Sequence, residues 1–110
     1  VPAYDELIFV ANRERLDDAR LHAFIGAVEQ SVQYIVNHPQ QSWEAFVASD
    51  PALDDELNRR AWSDTLPRFA LRPAALDRGR YDRFAIFLRQ QGLLEEIPVL
   101  DSYAVELGVD

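Results

Sequence analysis

The chain contains no cysteine, no lysine and no methionine among its 110 residues. Without cysteine it can form neither a disulfide nor a thiolate metal site. Every apolar run is shorter than the roughly 20 residues that span a bilayer, and no signal peptide is recognisable. Because the chain starts at Val1 and lacks methionine, we expect it to be a processed or excised piece of a longer product.

Charge is distributed unevenly along the chain, whose formal net charge is −8. Residues 59–89 carry eight Arg and three acidic side chains, whereas residues 1–58 and 90–110 are strongly acidic. A basic block of this size could suit nucleic acid, but the acidic flanks repel phosphates, and Arg on successive helical turns is typical of a solvated face. We therefore expect no nucleic-acid partner.

The run from Leu7 to Ala11 is continuously apolar, the pattern of a strand buried on both faces of a sheet. We predict a strand over 6–12. No other stretch has the pattern of a pairing strand, and an unpaired buried backbone group costs on the order of 1–3 kcal/mol. The strand therefore implies either a larger domain or a second copy that completes the sheet, which would make the isolated segment a homo-oligomer.

After residue 17 the pattern becomes helical. Asp17 or Asp18 is placed to cap a helix, because a carboxylate there accepts from the free N–H groups of the first turn. An apolar stripe follows at the i, i+3/i+4, i+7 spacing of an amphipathic helix. The stripe consists of Leu21, Phe24, Ile25, Val28, Val32 and Ile35.

Prolines and acidic caps divide the next part of the chain. Pro39 interrupts the first helix and suits the first turn of a second helix, which we expect over 40–49. The acidic triplet Asp54-Asp55-Glu56 opens a third helix, and Pro67 ends or kinks it. Consecutive helices joined by such short breaks are expected to be neighbours in space.

The final third of the chain follows the same rules. Asp77 caps a fourth helix, which Gly92 stops in a left-handed conformation, and a last turn is expected over 101–107. The predicted fold is mainly α, with one N-terminal buried strand followed by about four or five helices. We expect a single segment over 1–110, with the helical array over 17–107.

Side chains that usually carry catalysis are few and scattered. His22 and His38 stand alone, without the second His or acid that a metal site needs. The acidic pairs at helix starts are explained as caps. No serine lies in a G-x-S-x-G motif, and no glycines form a phosphate-binding loop. We expect no enzymatic activity, no metal site and no cofactor.

Aromatic side chains suggest two kinds of ligand contact. Those at helical spacing could stack on a flat ligand, but this spacing is more typical of a core. Tyr4 and Asp5 differ, because they precede the predicted strand at the lip of a sheet, where ligand clefts often form. A phenol beside a carboxylate suits a nitrogen-rich ring. The alternative is that Tyr4 and Asp5 are surface residues that simply precede the strand. The helical aromatic residues are Trp43, Trp62, Phe69, Tyr81, Phe84 and Phe87.

An ordered series of motifs carries a family resemblance. In this order the motifs resemble the C-terminal portion of the solute-binding proteins of ABC importers for thiamine pyrimidine precursors, namely hydroxymethylpyrimidine or its formylamino relative. Yeast-type thiamine pyrimidine synthases belong to the same superfamily. The resemblance covers nearly the whole chain but about the last third of a family member. The motifs are Tyr4–Asn12, Asn37–Pro39, Trp43–Phe46, Glu56–Trp62, Thr65–Pro67 and Tyr81–Leu93.

The resemblance implies a fragment of a two-lobed α/β periplasmic binding protein fold, in which this segment returns from the second lobe to the first. It implies an extracytoplasmic location, a pyrimidine ligand of the full-length parent and a membrane permease as partner. Most ligand contacts in the family come from earlier in the chain, so Tyr4 and Asp5, near the hinge, are the plausible contributors here. The catalytic His and Lys of the synthases have no counterpart in this sequence.

Two other functions stay open at this point. A self-standing helical interaction module could dimerise through the N-terminal strand. An enzyme like the yeast-type synthase would require a His-rich metal-binding stretch upstream of this segment.

Overall fold

A computed structural model describes residues 1–107, and these residues form helices and turns without any strand. The α-helices are α1 (Ala19–Asn37), α2 (Pro39–Ser49), α3 (Glu56–Thr65) and α4 (Arg78–Gln90). Short 3-10 turns lie at Arg13–Arg15, Pro51–Leu53, Leu66–Arg68 and Leu100–Ser102. The prediction of a mainly α chain is therefore confirmed.

The predicted strand over 6–12 is wrong. This segment has no regular structure, and its apolar side chains face solvent, with Leu7 95% and Val10 85% exposed. An apolar run specifies a strand when another segment supplies the ladder of backbone hydrogen bonds. No segment within 1–107 does so. Dimerisation through a strand accordingly loses its structural basis, while self-association itself stays a prediction.

The chain divides into two compact units. Unit 1 combines Val1–Asp18 with Ala74–Asp110, and unit 2 is Ala19–Pro73. The single segment expected over 1–110 stays a prediction, and its last three residues, 108–110, lie outside the described part.

In unit 2, α1 packs against α2 and against the turn at Leu66–Arg68. The expected apolar stripe of α1 places Ile25 in the interior, where it is 7% exposed. Pro39 occupies the first position of α2, as its missing N–H and its restricted φ angle favour. At the start of α3 the Asp55 carboxylate accepts a hydrogen bond from the Asn58 backbone N–H at 2.8 Å, so the acidic triplet acts as a cap.

In unit 1, α4 is capped at both ends as predicted. Asp77 Oδ1 accepts from the Arg80 backbone N–H at 3.0 Å. Gly92 has a φ of 76°, and the Leu93 N–H donates to the Leu88 carbonyl at 2.9 Å, which is the Schellman arrangement. The final turn covers Leu100–Ser102 and packs against α4, so it is shorter than the 101–107 expected.

Neither unit encloses a large core. No large side chain of residues 1–107 is fully buried, and three of the four buried residues are small. These four are Ile25, Ser42, Ala74 and Ala85. The other apolar and aromatic side chains of residues 1–107 are half-buried or exposed.

Candidate functional site

Tyr4, one of the two residues predicted to contact a ligand, lies against α4. Its ring stacks on the ring of Phe84 with the centroids 4.6 Å apart and the planes 11° from parallel. Tyr4 is 44% exposed, so part of the phenol still faces solvent. Phe84 in turn lies beside Phe87, with 6.2 Å between the ring centroids. The Phe84 ring therefore covers one face of the Tyr4 ring.

Asp5, the second predicted residue, lies near two side chains of the same helix. Arg80 Nη1 donates to Asp5 Oδ1 at 2.8 Å. Tyr81, the next residue of α4, lies close enough to Asp5 for the carboxylate to raise the pKa of the phenol. Because α4 starts at Arg78, Arg80, Tyr81 and Phe84 fall within about one and a half turns of helix and meet the N-terminal segment together. We call Tyr4, Asp5, Arg80, Tyr81 and Phe84 the α4 cluster.

The electrostatics of the α4 cluster centre on the Asp5 carboxylate. Its hydrogen bond and its negative charge raise the pKa of the Arg80 guanidinium. Burial, followed by the charge of Asp5, raises the pKa of the Tyr81 phenol. Arg80 is thus held as a cation and Tyr81 as a neutral phenol.

The α4 cluster combines an aromatic ring with a partly exposed carboxylate. A carboxylate offers more acceptor positions than its two partners use, and 35% of the Asp5 side chain is exposed. The exposed part of the Tyr4 phenol supplies an aromatic surface and a polar tip.

Farther along unit 1, one more contact joins the N-terminal segment to the later part of the unit: Arg13 Nη2 donates to the Ser102 carbonyl at 2.7 Å. Within that later part, Arg78 Nη2 of α4 donates to Asp101 Oδ1 at 2.7 Å. Tyr81 faces Tyr103 across 6.3 Å between ring centroids. The residues from Glu6 to Asn12 therefore lie between two anchors, the α4 cluster and the Arg13 contact.

Unit 2 contains a different concave surface, a cleft of about 570 Å³. Trp43 and Trp62 form its aromatic wall, with ring centroids 5.6 Å apart in an edge-to-face arrangement. An ion pair between Arg59 and Asp54, 3.0 Å long, lies at the same cleft and is half-exposed. The Trp62 Nε1 group is buried and finds no acceptor among the described residues. We call the Trp43, Phe46 and Trp62 rings the tryptophan cluster.

The histidines belong to neither cluster. His38 lies beside the Tyr34 ring at 4.5 Å, at the start of α2. Across residues 1–107 no three His, Asp or Glu side chains are arranged to hold a metal ion. In the same range, none of the helices combines the length and the apolar character needed to cross a bilayer.

The chain is similar in sequence to proteins linked with thiamine. Residues 1–42 match the family described as NMT1/THI5 like. Over 108 residues the chain is 46% identical to the "Putative thiamine biosynthesis protein" of Haemophilus influenzae, and the similar region covers 97% of this chain and 34% of that relative. The chain thus spans about a third of the length of the curated relative it matches. No solved structure matches it.

These similarities support part of the resemblance drawn from the motifs. They support similarity to the NMT1/THI5-like family and to a longer thiamine-related protein. Tyr4 and Asp5 lie within the matched residues, while their partners on α4 lie outside that range. Sequence analysis had singled out Tyr81 and Phe84 as aromatic residues but missed Arg80, since no spacing rule connects positions 75 residues apart.

Proposed function

We propose that this chain is part of the extracytoplasmic solute-binding subunit of an ABC importer whose ligand is a thiamine pyrimidine precursor. The longer protein would capture its ligand by closing two lobes and deliver it to a membrane permease. In this proposal the chain is not an enzyme. Tyr4 and Asp5 contact the pyrimidine, and other contacts come from the rest of the longer protein.

One observation carries the proposal: Tyr4 and Asp5 lie in the region that matches the NMT1/THI5-like family and are held together by α4. A stacked phenol beside an oriented carboxylate suits a ring that bears an amino group. The 46% identity to a thiamine biosynthesis protein, over nearly all of this chain, supports the same ligand class.

The test is direct binding by the full-length protein that contains this chain. Hydroxymethylpyrimidine and its formylamino relative should each raise the melting temperature, since a ligand that binds only the native state stabilises it. Isothermal titration should then show weaker binding by Tyr4→Ala and Asp5→Ala, about tenfold for Asp5 if its hydrogen bond to the ring is lost.

Asp101→Ala is the matched control for Asp5→Ala. Asp101 also pairs with an arginine of α4, Arg78, but lies outside the α4 cluster. It should bind hydroxymethylpyrimidine as the wild type does. A thermal shift with another solute and none with either pyrimidine would contradict the ligand assignment. Recovery of the native protein from the cytoplasmic fraction would contradict the location.

A further inference from the structure

Arg80 links two carboxylates of unit 1. Its Nη1 atom lies 2.8 Å from Asp5 Oδ1, and its Nε atom lies 4.0 Å from Asp77 Oδ2. Asp77 is itself held in place, because its other oxygen accepts the Arg80 backbone N–H at 3.0 Å as the N-cap of α4. The Arg80 guanidinium therefore contacts Asp77, at the start of α4, through one nitrogen and Asp5 through another.

Asp5 and Arg80 belong to different kinds of structure. Asp5 lies in a segment without regular structure, whereas Arg80 lies on α4. The 2.8 Å hydrogen bond from Arg80 therefore joins the Asp5 carboxylate to a regular helix. Tyr81, the next residue of α4, lies near the same carboxylate.

We propose that Arg80 is a positioning residue that orients the Asp5 carboxylate toward the amino group of a heteroaromatic ligand and thereby sets specificity for amino-substituted rings. This inference rests on the proposed function. Arg80 is not required to touch the ligand. A planar guanidinium holds a carboxylate at a defined angle, which an ammonium or an amide does less well.

The positioning role predicts different affinities for two ligands, hydroxymethylpyrimidine and its analogue without the amino group. A site that presents an oriented acceptor rejects an analogue without the matching donor, because an acceptor that the bound ligand shields from water is then left unpaired. The wild type should therefore bind hydroxymethylpyrimidine at least about tenfold more tightly than its analogue lacking the amino group. Without Arg80 the carboxylate loses its 2.8 Å partner, and this ratio should fall toward one.

The experiment measures both affinities for the full-length protein and for three variants by isothermal titration. In Arg80→Gln, hydroxymethylpyrimidine should bind more weakly, while the affinity for the analogue should change little. The ratio of the two affinities should therefore fall most of the way toward one. Arg80→Lys, which keeps the charge but lacks the planar fork, should give an intermediate ratio. Arg78→Gln is the matched control, because Arg78 makes a similar 2.7 Å pair with Asp101 on the same helix, and it should keep the wild-type ratio.

The outcomes separate this inference from the function on which it rests. If the wild type discriminates and folded Arg80→Gln keeps the full ratio, the positioning role is wrong and the proposed function stands. If the wild type binds neither hydroxymethylpyrimidine nor the analogue, the positioning role and the proposed function are both wrong. If Arg80→Gln does not fold, Arg80→Lys decides: a wild-type ratio in that variant overturns the role of the planar guanidinium, and a reduced ratio supports it.

Discussion

The two aromatic clusters of this protein are built in different ways. The tryptophan cluster of unit 2 joins rings of α2 and α3, with Phe46 and Trp62 5.3 Å apart, and its nearby ion pair connects residues five positions apart. The α4 cluster of unit 1 joins a segment without regular structure to a helix, and its ion pair connects residues 75 positions apart. One cluster packs neighbouring helices, whereas the other attaches a distant part of the chain.

This difference indicates which of the two clusters contributes more to the stability of the fold. Rings that contact each other across neighbouring helices stabilise mainly by burying apolar surface. In the α4 cluster the rings flank a charged pair whose side chains remain partly exposed, and exposed ion pairs add little stability. We therefore expect stability to respond chiefly to unit 2 and ligand specificity chiefly to unit 1.

The largest expected effect is on the tryptophan cluster. Trp62→Ala should lower the free energy of unfolding by about 2–4 kcal/mol, because the half-buried indole contacts both Trp43 and Phe46. Urea unfolding followed by circular dichroism measures the change. Trp62→Phe should cost less than about 1.5 kcal/mol, since the buried Nε1 group finds no acceptor within residues 1–107.

Leu57 provides the control on the same helix. It is 77% exposed, so Leu57→Ala should change stability by no more than about 0.5 kcal/mol. Equal losses for Leu57→Ala and Trp62→Ala would show that the helix, rather than the tryptophan cluster, determines the effect, and the contrast between the units would disappear.

A smaller effect is expected at the two helix caps, one in each unit. Asp55 and Asp77 each accept a backbone N–H three residues ahead, at 2.8 and 3.0 Å. Substitution of either by alanine should cost about 1 kcal/mol in urea unfolding, because it leaves a first-turn donor without its acceptor. The Asn variants should recover most of this loss, since the amide oxygen is an equally good cap.

The comparison between the caps is informative because Asp77 also lies near Arg80. If Asp77→Asn loses ligand specificity while Asp55→Asn does not, the cap of α4 contributes to the α4 cluster. If the Asn variants are as unstable as the Ala variants at both positions, the stabilisation comes from the charge of the carboxylate.

The smallest effect concerns the pH dependence of Tyr81. Its raised pKa means that the folded state keeps the phenol proton at a pH where the unfolded chain has begun to lose it. The associated stability is fully present below pH about 10, the ordinary tyrosine pKa, and is lost as the pH rises through the folded value. An absorbance titration should show a late component that Tyr81→Phe removes.

Asp5→Asn tests the cause of this shift. Burial is the largest contribution and the Asp5 charge the next, so the late component should move part of the way toward the ordinary tyrosine value. A late component that survives in Tyr81→Phe would belong to another tyrosine, and the stated environment of Tyr81 would be wrong.

The helices were the most predictable part of the fold. Apolar spacing predicted α1, and Asp55, Asp77 and Gly92 marked the ends of α3 and α4 where the structure has them. These features depend on residues within one or two turns of each other, so their physical cause is contained in a short stretch of chain. The boundary at Pro39 was predictable for the same reason.

The segment over 6–12 shows where such reasoning failed. An apolar run is compatible with a strand, but the strand state depends on hydrogen bonds from another segment, which no residue of 1–107 supplies. Only part of the candidate site could be predicted from the sequence. Tyr4 and Asp5 were identified from their types and order, and Arg80 was missed, because its contact with Asp5 depends on how two distant parts of unit 1 meet.

The sequence by itself determined the helices, their caps and the aromatic faces, since each follows from local backbone preferences and side-chain spacing. Only the tertiary structure decided that the apolar residues 7–10 are exposed and that Asp5 pairs with Arg80 and lies near Tyr81 of α4. The physical reason is the range of the interactions. A cap needs a neighbour three positions away, whereas burial, strand pairing and this ion pair need partners that only folding brings close.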